Sequence, residues 1–226
     1  MNELKNKIVL ITGSNTGIGK ATALKFAQEK AIIIITYLKN KQQAKETSKE
    51  CKKLGASVCE FINLDLRKDK SIRDCVKLVI KKFGKIDILI NNAGTFVWKP
   101  FNEHSFKEIE NLTRTNLEGL MKMTNACIPY IKYSIINISS IGGKQIYKNM
   151  AVYTATKFGV RGFTQAIAKE NPNLKIYCVN PGTTATQMTD SEGMSPEVVA
   201  QKIIDVIKEK ITVKSGEDID IINSSA

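Results

Sequence analysis

Short apolar runs alternate along the whole chain with polar stretches of helical character. Continuous apolar runs indicate strands buried on both faces, as a parallel sheet requires. Four consecutive isoleucines at 32–35 are the clearest case, because β-branched side chains favour strands. Two polar stretches end at Gly55 and Gly84, which indicates helix ends. The predicted strands are 7–12, 31–36, 57–63, 86–91, 133–139, 174–180 and 217–222, and the predicted helices are 17–29, 39–54, 68–83, 101–131, 150–170 and 195–210.

The regular alternation of strands and helices predicts a doubly wound α/β fold, with a parallel seven-stranded sheet and helices on both faces. No internal repeat, proline-rich linker or low-complexity block divides the chain, so residues 1–226 are predicted to form one domain. Sheets of this kind bind ligands beyond the carboxyl ends of their strands, where the strand order reverses. The residues that follow each strand are therefore the candidates for function.

Composition narrows the class of protein. Apolar residues make up 42% of the 226 residues and charged residues 25%, which excludes a disordered or collagen-like chain. No apolar run approaches the roughly 18 residues of a membrane span. The first residues lack the apolar core of a signal peptide, so we expect a cytoplasmic protein that is neither exported nor inserted in a membrane. Five scattered cysteines without a CxxC pair argue against a disulfide framework and against a metal site.

The net charge is strongly positive. The chain has 34 basic and 22 acidic residues, which gives +12. Such a charge favours acidic partners without specificity and says nothing about the fold. No basic stripe alternates with aromatic residues, so nucleic acid is not a predicted partner, and solvated helix faces explain most of the charge.

A glycine-rich turn follows the first predicted strand. Its spacing is Gly-x3-Gly-x-Gly, and glycines there allow a close approach of the backbone that a Cβ would block. The next helix would present free N–H groups and the positive end of its dipole, which suit a pyrophosphate. A plain glycine turn is the alternative. The candidate cofactor-binding residues of this turn are Gly13, Asn15, Thr16, Gly17, Ile18 and Gly19.

The end of the second predicted strand bears on the choice of nucleotide. NAD-binding folds carry an acid there for the ribose 2′-hydroxyl, and this chain has none. Lys39 and Asn40 can instead bind a 2′-phosphate, next to Tyr37, which we expect at the surface. We therefore favour NADP(H), while NAD(H) stays open. In the alternative interpretation, Lys39 lies in the solvated first turn of a helix, where its charge opposes the helix dipole.

Two further strand ends carry candidate cofactor contacts. Asp65 can accept a hydrogen bond from an adenine amino group, with Leu66 packed on the ring; capping of the next helix is the competing role for Asp65. After the fourth strand, Asn92, Ala93 and Gly94 can hold neighbouring strands together and leave room for a cofactor.

Ser140, Tyr153 and Lys157 form the candidate catalytic group. Tyr153 and Lys157 are four residues apart and share one face of a predicted helix. Ser139 and Ser140 end the strand before that helix, on the side where the cleft is expected.

Carbonyl reduction requires such a group. Hydride addition places negative charge on the carbonyl oxygen, which needs a proton donor and a hydrogen-bond partner. Lowering a phenol pKa from ~10 to ~7 requires about 4 kcal/mol. One ammonium ~4 Å away supplies roughly that at an effective dielectric constant of ~20. We expect Lys157, helped by the positive nicotinamide of an oxidised cofactor, to lower the pKa of Tyr153 in this way.

Taken together, these motifs resemble those of the short-chain dehydrogenase/reductase family. The resemblance covers about residues 5–223, and the joint pattern is specific. The motifs that carry it, in chain order, are Gly13-x3-Gly17-x-Gly19, Asp65, Asn91-Asn92-Ala93-Gly94, Asn116, Ser140, Tyr153-x3-Lys157 and Pro181-Gly182. The resemblance implies a Rossmann fold, a nicotinamide cofactor, a small carbonyl or alcohol substrate and four catalytic residues.

The resemblance also implies roles. Tyr153 would be the general acid and base, and Ser140, rather than Ser139, would bind the substrate oxygen. Lys157 would bind the ribose and depress the tyrosine pKa. Asn116 would hold the water of a proton relay to Lys157. Family members often form homodimers or homotetramers through the helices that carry these residues, so a homo-oligomer is expected.

The turn after the sixth strand would receive the nicotinamide amide. Pro181, Gly182 and Thr186 match the family there, whereas Thr184 stands where the family often has an apolar residue. The chain is shorter than is usual in the family. The segment 187–194, the usual substrate loop, is brief, which suggests either an open site or a small element that covers the substrate.

Three aromatic side chains and one histidine are further candidates for the substrate site. Phe96, Trp98 and Tyr147 are predicted in loops that border it, with ordinary loop packing as the alternative for Trp98. His104 is the only histidine, and no catalytic role is predicted for it because a tyrosine already fills the acid-base position.

Two functions are consistent with the sequence. The first is an NAD(P)H-dependent oxidoreductase that interconverts a carbonyl and an alcohol, with a 3-oxoacyl thioester as one fitting substrate. The second is a cofactor-binding interaction or regulatory protein without turnover, against which the complete catalytic group argues.

Overall fold

The computed structural model describes residues 3–222. Residues 1–2 and 223–226 lie outside the described part, although the one-domain prediction includes them and the family resemblance extends to residue 223. Seven parallel strands form one sheet in the order β3-β2-β1-β4-β5-β6-β7. The strands are β1 (Ile8–Ile11), β2 (Ile32–Tyr37), β3 (Val58–Asn63), β4 (Ile86–Asn91), β5 (Ile131–Ile138), β6 (Lys175–Pro181) and β7 (Asp218–Ile221). The helices are α1 (Gly17–Gln28), α2 (Lys41–Lys53), α3 (Asp69–Phe83), α4 (Phe106–Thr113), α5 (Gly119–Cys127), α6 (Ala151–Glu170) and α7 (Pro196–Ile207).

Helices cover both faces of the sheet. One apolar core joins the sheet to α1, α2 and α7, with Phe26 and Ile203 among its fully buried side chains. The other joins it to α3, α5 and α6 through residues such as Val79 and Met123. Strand β1 is buried on both faces and is continuously apolar, whereas the equally buried β4 also carries Asp87 and Asn91. The predicted doubly wound α/β fold is confirmed, whereas the prediction that residues 1–226 form one domain stays a prediction.

The strand order reverses between β1 and β4. Val9 pairs with Ile33 of β2 on one side and with Ile88 of β4 on the other. The connections from these two central strands run in opposite directions, so their carboxyl ends leave a crevice. The residues after β1, β4, β5 and β6 line this edge of the sheet.

The long helix predicted at 101–131 is not continuous. Ser105 and Glu108 form a capping box that starts α4, and a π-helical segment, Arg114–Glu118, separates α4 from α5. Strand β5 begins at Ile131, so the predicted helix was too long at its end. A π-helical turn holds about one residue more than an α-helical turn, but its sequence looks helical. The pattern of apolar and polar residues therefore did not reveal the break between α4 and α5.

Within residues 3–222, the structure contains no helix long and apolar enough to cross a lipid bilayer.

Candidate active site

The turn after β1 packs tightly against the turn after β4. Gly13 and Gly17 have positive φ angles of 61° and 54°, a conformation that favours glycine. A Cβ on Gly13 would lie 2.9 Å from Ala93 Cα, and a Cβ on Gly19 would lie 2.5 Å from Asn92 Nδ2. The glycines are therefore required by the contact between the two turns as well as by the backbone angles.

Hydrogen bonds fix this turn from both sides. The Gly13 N–H donates to Thr36 Oγ1 at 2.9 Å, which ties the turn to β2. The Asn92 side-chain amide donates to the Thr12 and Gly13 carbonyls, both at 2.9 Å. Thr12 Oγ1 accepts from the N–H groups of Asn92 and Ala93. The interlocking of strands β1 and β4 that the sequence predicted is present.

Helix α1 begins at Gly17 and points its N-terminus into the crevice. Thr16 is its N-cap residue, and among the described residues its side chain makes no capping hydrogen bond. The N–H groups of the first turn are thus available to an anion. Asn15 Nδ2 donates to Gln43 Oε1 of α2 at 3.2 Å, and Ile18 packs on the apolar core. A cradle of backbone donors that tolerates no Cβ fits a dinucleotide pyrophosphate.

The turn after β2 differs from the prediction at two residues. Tyr37 is not at the surface: it is 8% exposed and its ring centroid lies 6.2 Å from that of Phe61. Helix α2 begins at Lys41 rather than Lys39, and Asn40 Oδ1 caps it by accepting from the Gln43 N–H at 3.0 Å. Lys39 precedes the helix and is exposed. Lys39 is therefore solvated, as the alternative interpretation has it, but it lies before the helix rather than in its first turn. The side-chain oxygen of Asn40 already caps the helix.

Asp65 has a partner that the sequence reasoning missed. Arg67 donates to both carboxylate oxygens of Asp65, at 2.9 Å each, and its Nη1 donates to Asn111 Oδ1. The Arg67 guanidinium lowers the pKa of the Asp65 carboxyl. The capping alternative for Asp65 is not found, since Lys68 is the N-cap residue of α3. Leu66 is 6% exposed and packs in the core, and its contact with an adenine ring stays a prediction.

The two adjacent serines at the end of β5 have different environments. Ser139 is 3% exposed and its Oγ donates to the Lys157 carbonyl at 2.9 Å, so it serves the fold. Ser140 Oγ is partly accessible and accepts from the Gly142 N–H at 3.1 Å. A Cβ built on Gly142 would lie 3.5 Å from both Ser140 Oγ and Tyr153 Cε1. Ser140 and Tyr153 are thus neighbours around Gly142.

Lys157 is buried beside Tyr153. Its Nζ donates to the Ile138 carbonyl at 2.9 Å and lies 5.5 Å from the centroid of the Tyr153 ring. A Cβ on Gly94 would lie 3.8 Å from this Nζ, so the lysine faces the turn after β4. Burial lowers the pKa of Lys157 to about 8.

The surroundings of Tyr153 within the chain raise the pKa of its phenol. Burial raises the pKa of the phenol, and the hydrogen bond with Ser140 opposes that shift. The ring of Phe96 packs edge-on against Tyr153 at 4.9 Å between centroids and helps to exclude water. Lys157 is not among the groups that shift this pKa, so the lowering expected with an oxidised nicotinamide stays a prediction.

Asn116 lies in the π segment and is 1% exposed. Its Oδ1 accepts from the Thr95 N–H and its Nδ2 donates to the Thr95 carbonyl, both at 2.8 Å. Its Nδ2 also donates to Thr156 Oγ1 at 3.3 Å. The side chain thus fixes the segment after Gly94 against α6. A π turn can direct an amide side chain inward at a position where regular helical spacing would not. The helical periodicity of the sequence therefore did not reveal the surroundings of Asn116.

The turn after β6 closes the crevice. Pro181 ends β6, and the Gly182 N–H donates to the Ile221 carbonyl of β7 at 2.8 Å. Thr184 is 4% exposed, and its Oγ1 donates to the Gly182 carbonyl, so its hydroxyl takes part in the turn. A Cβ on Gly17 would lie 3.1 Å from Thr186 Cγ2, which brings this turn against the start of α1.

The segment 187–194 folds back on itself against the turn after β6. The Met194 N–H donates to the Thr183 carbonyl, and the Ala185 N–H donates to the Met194 carbonyl. A Cβ on Gly193 would lie 2.2 Å from the Thr183 oxygen, so this closure requires glycine. The segment covers the α1 side of a cavity of about 440 Å³ between α1, α2 and the turn after β6.

Aromatic side chains lead outward from Tyr153. Phe96 contacts Tyr153, and Trp98 lies 6.1 Å from Phe96 between ring centroids and is 57% exposed. Tyr147 is 39% exposed. Its loop is joined to the segment that carries Trp98 by a hydrogen bond from the Lys99 N–H to the Asn149 carbonyl. His104 is buried outside this group, and within the described residues neither ring nitrogen has a hydrogen-bond partner.

Arg161 is a second residue that the sequence did not identify. Its Nη1 donates to the Gly143 carbonyl at 2.8 Å, and its Nε and Nη2 donate to Asp218 of β7. It thereby ties the loop after Ser140 to the last strand. An arginine on a helix gives no signal of such a partner, because Asp218 is 57 residues away in sequence.

The fold and the site define a dinucleotide-binding oxidoreductase. The sequence model of the short chain dehydrogenase family matches residues 7–196, and the chain belongs to this family. It is an NAD(P)-dependent oxidoreductase.

Individual relatives and solved structures support the assignment of the chain to this family. An uncharacterized oxidoreductase of Staphylococcus epidermidis is 30% identical over 95% of both chains. A 3-oxoacyl-[acyl-carrier-protein] reductase of Thermotoga maritima is 35% identical over 83% of this chain and 78% of its own. Among solved structures, a short chain dehydrogenase from Burkholderia cenocepacia in complex with NADP has a TM-score of 0.90 at 25% identity, with 98% of each chain covered.

Proposed function

We propose that this enzyme reduces a carbonyl to an alcohol, with Tyr153 as the proton donor and Ser140 as the partner of the carbonyl oxygen. The observation that carries the proposal is the convergence of Ser140 and Tyr153 on Gly142, with Lys157 Nζ facing Gly94 at the adjacent strand end. These groups lie at the edge of the sheet where the glycine turn would hold a dinucleotide. When bound, a nicotinamide supplies the hydride.

Each side chain then has a distinct task. Ser140 Oγ donates a hydrogen bond to the carbonyl oxygen, which stabilises the negative charge that develops there. The Tyr153 hydroxyl gives its proton to that oxygen and completes the alcohol. The Lys157 ammonium binds the ribose and attracts negative charge on the phenol. Asn116 fixes the segment around Thr95. In addition, it would hold the water of a proton relay to Lys157, as the family resemblance implies.

The pKa shifts favour the reductive direction. A raised pKa keeps the Tyr153 phenol protonated at neutral pH, which is the form that donates a proton. Lys157, with a pKa of about 8, is mostly an ammonium at pH 7. Oxidation of the alcohol requires the phenolate and therefore becomes easier as pH rises.

We propose NADP(H) as the preferred cofactor, with NAD(H) as the weaker one. Lys39 is exposed beyond β2, at the position where an acid would select NAD(H). Asn15 and Asn40 both bond to Gln43 in the first turn of α2, which places them near each other at the start of that helix. Asp65, oriented by Arg67, would accept from the adenine amino group.

A 3-oxoacyl thioester is our proposed substrate. Two relatives at 31% and 35% identity are named 3-oxoacyl-[acyl-carrier-protein] reductases. The half-buried Phe96 and exposed Trp98 would line the path of the acyl chain toward Tyr153. We also propose a cytoplasmic homodimer or homotetramer that assembles through the helices carrying Asn116 and Tyr153. Light scattering at micromolar concentration tests the assembly, and a monomeric mass would refute it.

Replacement of Tyr153 tests the proposed chemistry. We expect Tyr153→Phe to lower kcat for ketone reduction by about a thousandfold, within the range of general acid catalysis, while the Kd for NADPH stays nearly unchanged. Tyr130→Phe removes a hydroxyl from an exposed tyrosine outside the cleft and serves as the control. Turnover retained in Tyr153→Phe would show that another group donates the proton.

A further inference from the structure

A groove of about 780 Å³ lies between α3 and α5, on the outer surface of the helical layer. Its floor is apolar and comes from both helices. Ile72, Val76 and Ile80 form a row on α3, one residue per turn, and Met121 and Ala126 of α5 face them. The substrate cleft does not include any of these residues, since it opens at the carboxyl ends of the strands.

A basic row runs beside the apolar row. Arg73, Lys77 and Lys81 are exposed, line the same groove and follow the same spacing of four residues. Within the described part of the chain, none of the three has a carboxylate within ion-pair distance, whereas Lys122 on the opposite wall pairs with Asp69 at 2.7 Å. Like charges four residues apart destabilise a helix, so this row costs stability unless an acidic group faces it.

We propose that this groove docks an acidic amphipathic helix of a partner protein. The row from Arg73 to Lys81 extends over roughly 12 Å at 1.5 Å per residue, about two helical turns. A partner helix with carboxylates at the same spacing would face the basic row, and its apolar side chains would fill the floor. The unpaired charges and the apolar floor together define this ligand; neither does so alone.

The same charges argue against other occupants. A second copy of this chain, if docked groove to groove, would bring another row of Arg73, Lys77 and Lys81 against the first. Nucleic acid gains nothing from an apolar floor, and Tyr130 is the only aromatic side chain among the residues that line this groove.

A labelled peptide tests the proposal directly. The probe is a fluorescein-labelled amphipathic peptide of about 15 residues, with three glutamates spaced by four and a leucine row beside them. We expect saturable binding to the full-length enzyme by fluorescence anisotropy, weakened by salt because the contact is partly ionic. The triple variant Arg73→Glu, Lys77→Glu, Lys81→Glu should bind at least about tenfold more weakly.

Helix α2 supplies a matched control. Lys45, Lys49 and Lys53 are exposed at the same spacing, but they line neither this groove nor the cavity beside α1. The triple variant Lys45→Glu, Lys49→Glu, Lys53→Glu should keep the wild-type affinity for the peptide. Equal weakening in the two triple variants would reduce the effect to net charge and overturn the proposal, as would a wild-type enzyme that does not bind.

A neutral change tests the floor. Ala126→Trp fills the groove without altering charge and should also weaken the peptide about tenfold, whereas Ala126→Ser should not. Unchanged peptide affinity in Ala126→Trp would overturn the docking site. A smaller oligomer in Ala126→Trp by light scattering would assign the groove to a second copy instead. The charge variants decide the question if Ala126→Trp does not fold.

Discussion

The turn after β1 and the turn after β2 end side by side at one edge of the sheet, yet they are held very differently. The first is enclosed: Gly13 and Gly19 have no room for a Cβ, and Thr36 and Asn92 bond its backbone. The second leaves the Lys39 side chain exposed. The enclosed turn sets the shape of the nucleotide site, and the exposed turn contributes charge. Substitutions in the two turns should therefore differ in size and in kind.

The largest effect is expected at the enclosed turn. In Gly19→Ala, the new methyl would lie 2.5 Å from the Gly13 carbonyl oxygen and from Asn92 Nδ2, so the two turns must separate. We expect at least about a hundredfold loss of affinity for both NADPH and NADH, close to 3 kcal/mol. Isothermal titration measures the loss.

Gly162→Ala is the matched control for Gly19→Ala. A Cβ on Gly162 meets nothing within 4 Å, and alanine in a helix interior is more stable than glycine by about 0.5–1 kcal/mol. Its cofactor affinity should be unchanged and its melting temperature slightly higher. Normal binding by Gly19→Ala would show that the first turn is not rigid.

A buried titratable group, Lys157, faces the turn after β4, which packs against the enclosed turn. Lys157 has a pKa lowered to about 8, so its ammonium is present below that pH and is lost above it. We expect kcat/KM for reduction to be flat between about pH 6 and about pH 7.5 and then to fall about tenfold per pH unit. A profile that stays flat through about pH 9.5 would show that the charge of Lys157 is not needed.

A smaller effect is expected at Thr36, which connects the two turns. Thr36→Val keeps the shape but leaves the Gly13 N–H without its acceptor, a cost of about 1–3 kcal/mol. Urea unfolding and NADPH titration should both report the loss, whereas Thr36→Ser, which keeps the hydroxyl, should behave nearly as the wild type. Equal behaviour of the valine and serine variants would remove the hydrogen bond from the explanation.

The smallest effect is expected at the exposed turn, and it should be selective. Lys39→Glu places a carboxylate where a 2′-phosphate would bind, and we expect NADPH to bind about tenfold more weakly while NADH changes little. Lys45→Glu, an exposed lysine further along α2, is the control. Equal losses for the two cofactors in Lys39→Glu would refute the 2′-phosphate assignment and weaken the comparison between the turns.

Local patterns were sufficient for the architecture of the cofactor site. Alternating apolar runs and amphipathic stretches predicted the parallel sheet, because a strand covered by helices on both faces must be apolar along its length. The glycine spacing and the polar residues after β4 predicted the interlocked turns. The choice of Ser140 over Ser139 agrees with their environments, since only Ser140 has an accessible hydroxyl.

Contacts between distant segments were beyond these patterns. The ion pair between Arg161 and Asp218 and the bonds from Asn116 to Thr95 join residues that no spacing rule connects. The burial of Tyr37 depends on Phe61 of the neighbouring strand.

The sequence by itself determined which chemical groups stand at the strand ends, because hydrophobic periodicity and glycine spacing are local properties. The tertiary structure alone decided how those groups are surrounded. The pKa of Tyr153 is the clearest case: the sequence pointed to the nearby ammonium and an oxidised nicotinamide, which would lower it, and did not reveal the burial that raises it. Desolvation depends on every segment packed around the phenol, and that sum exists only once the chain has folded.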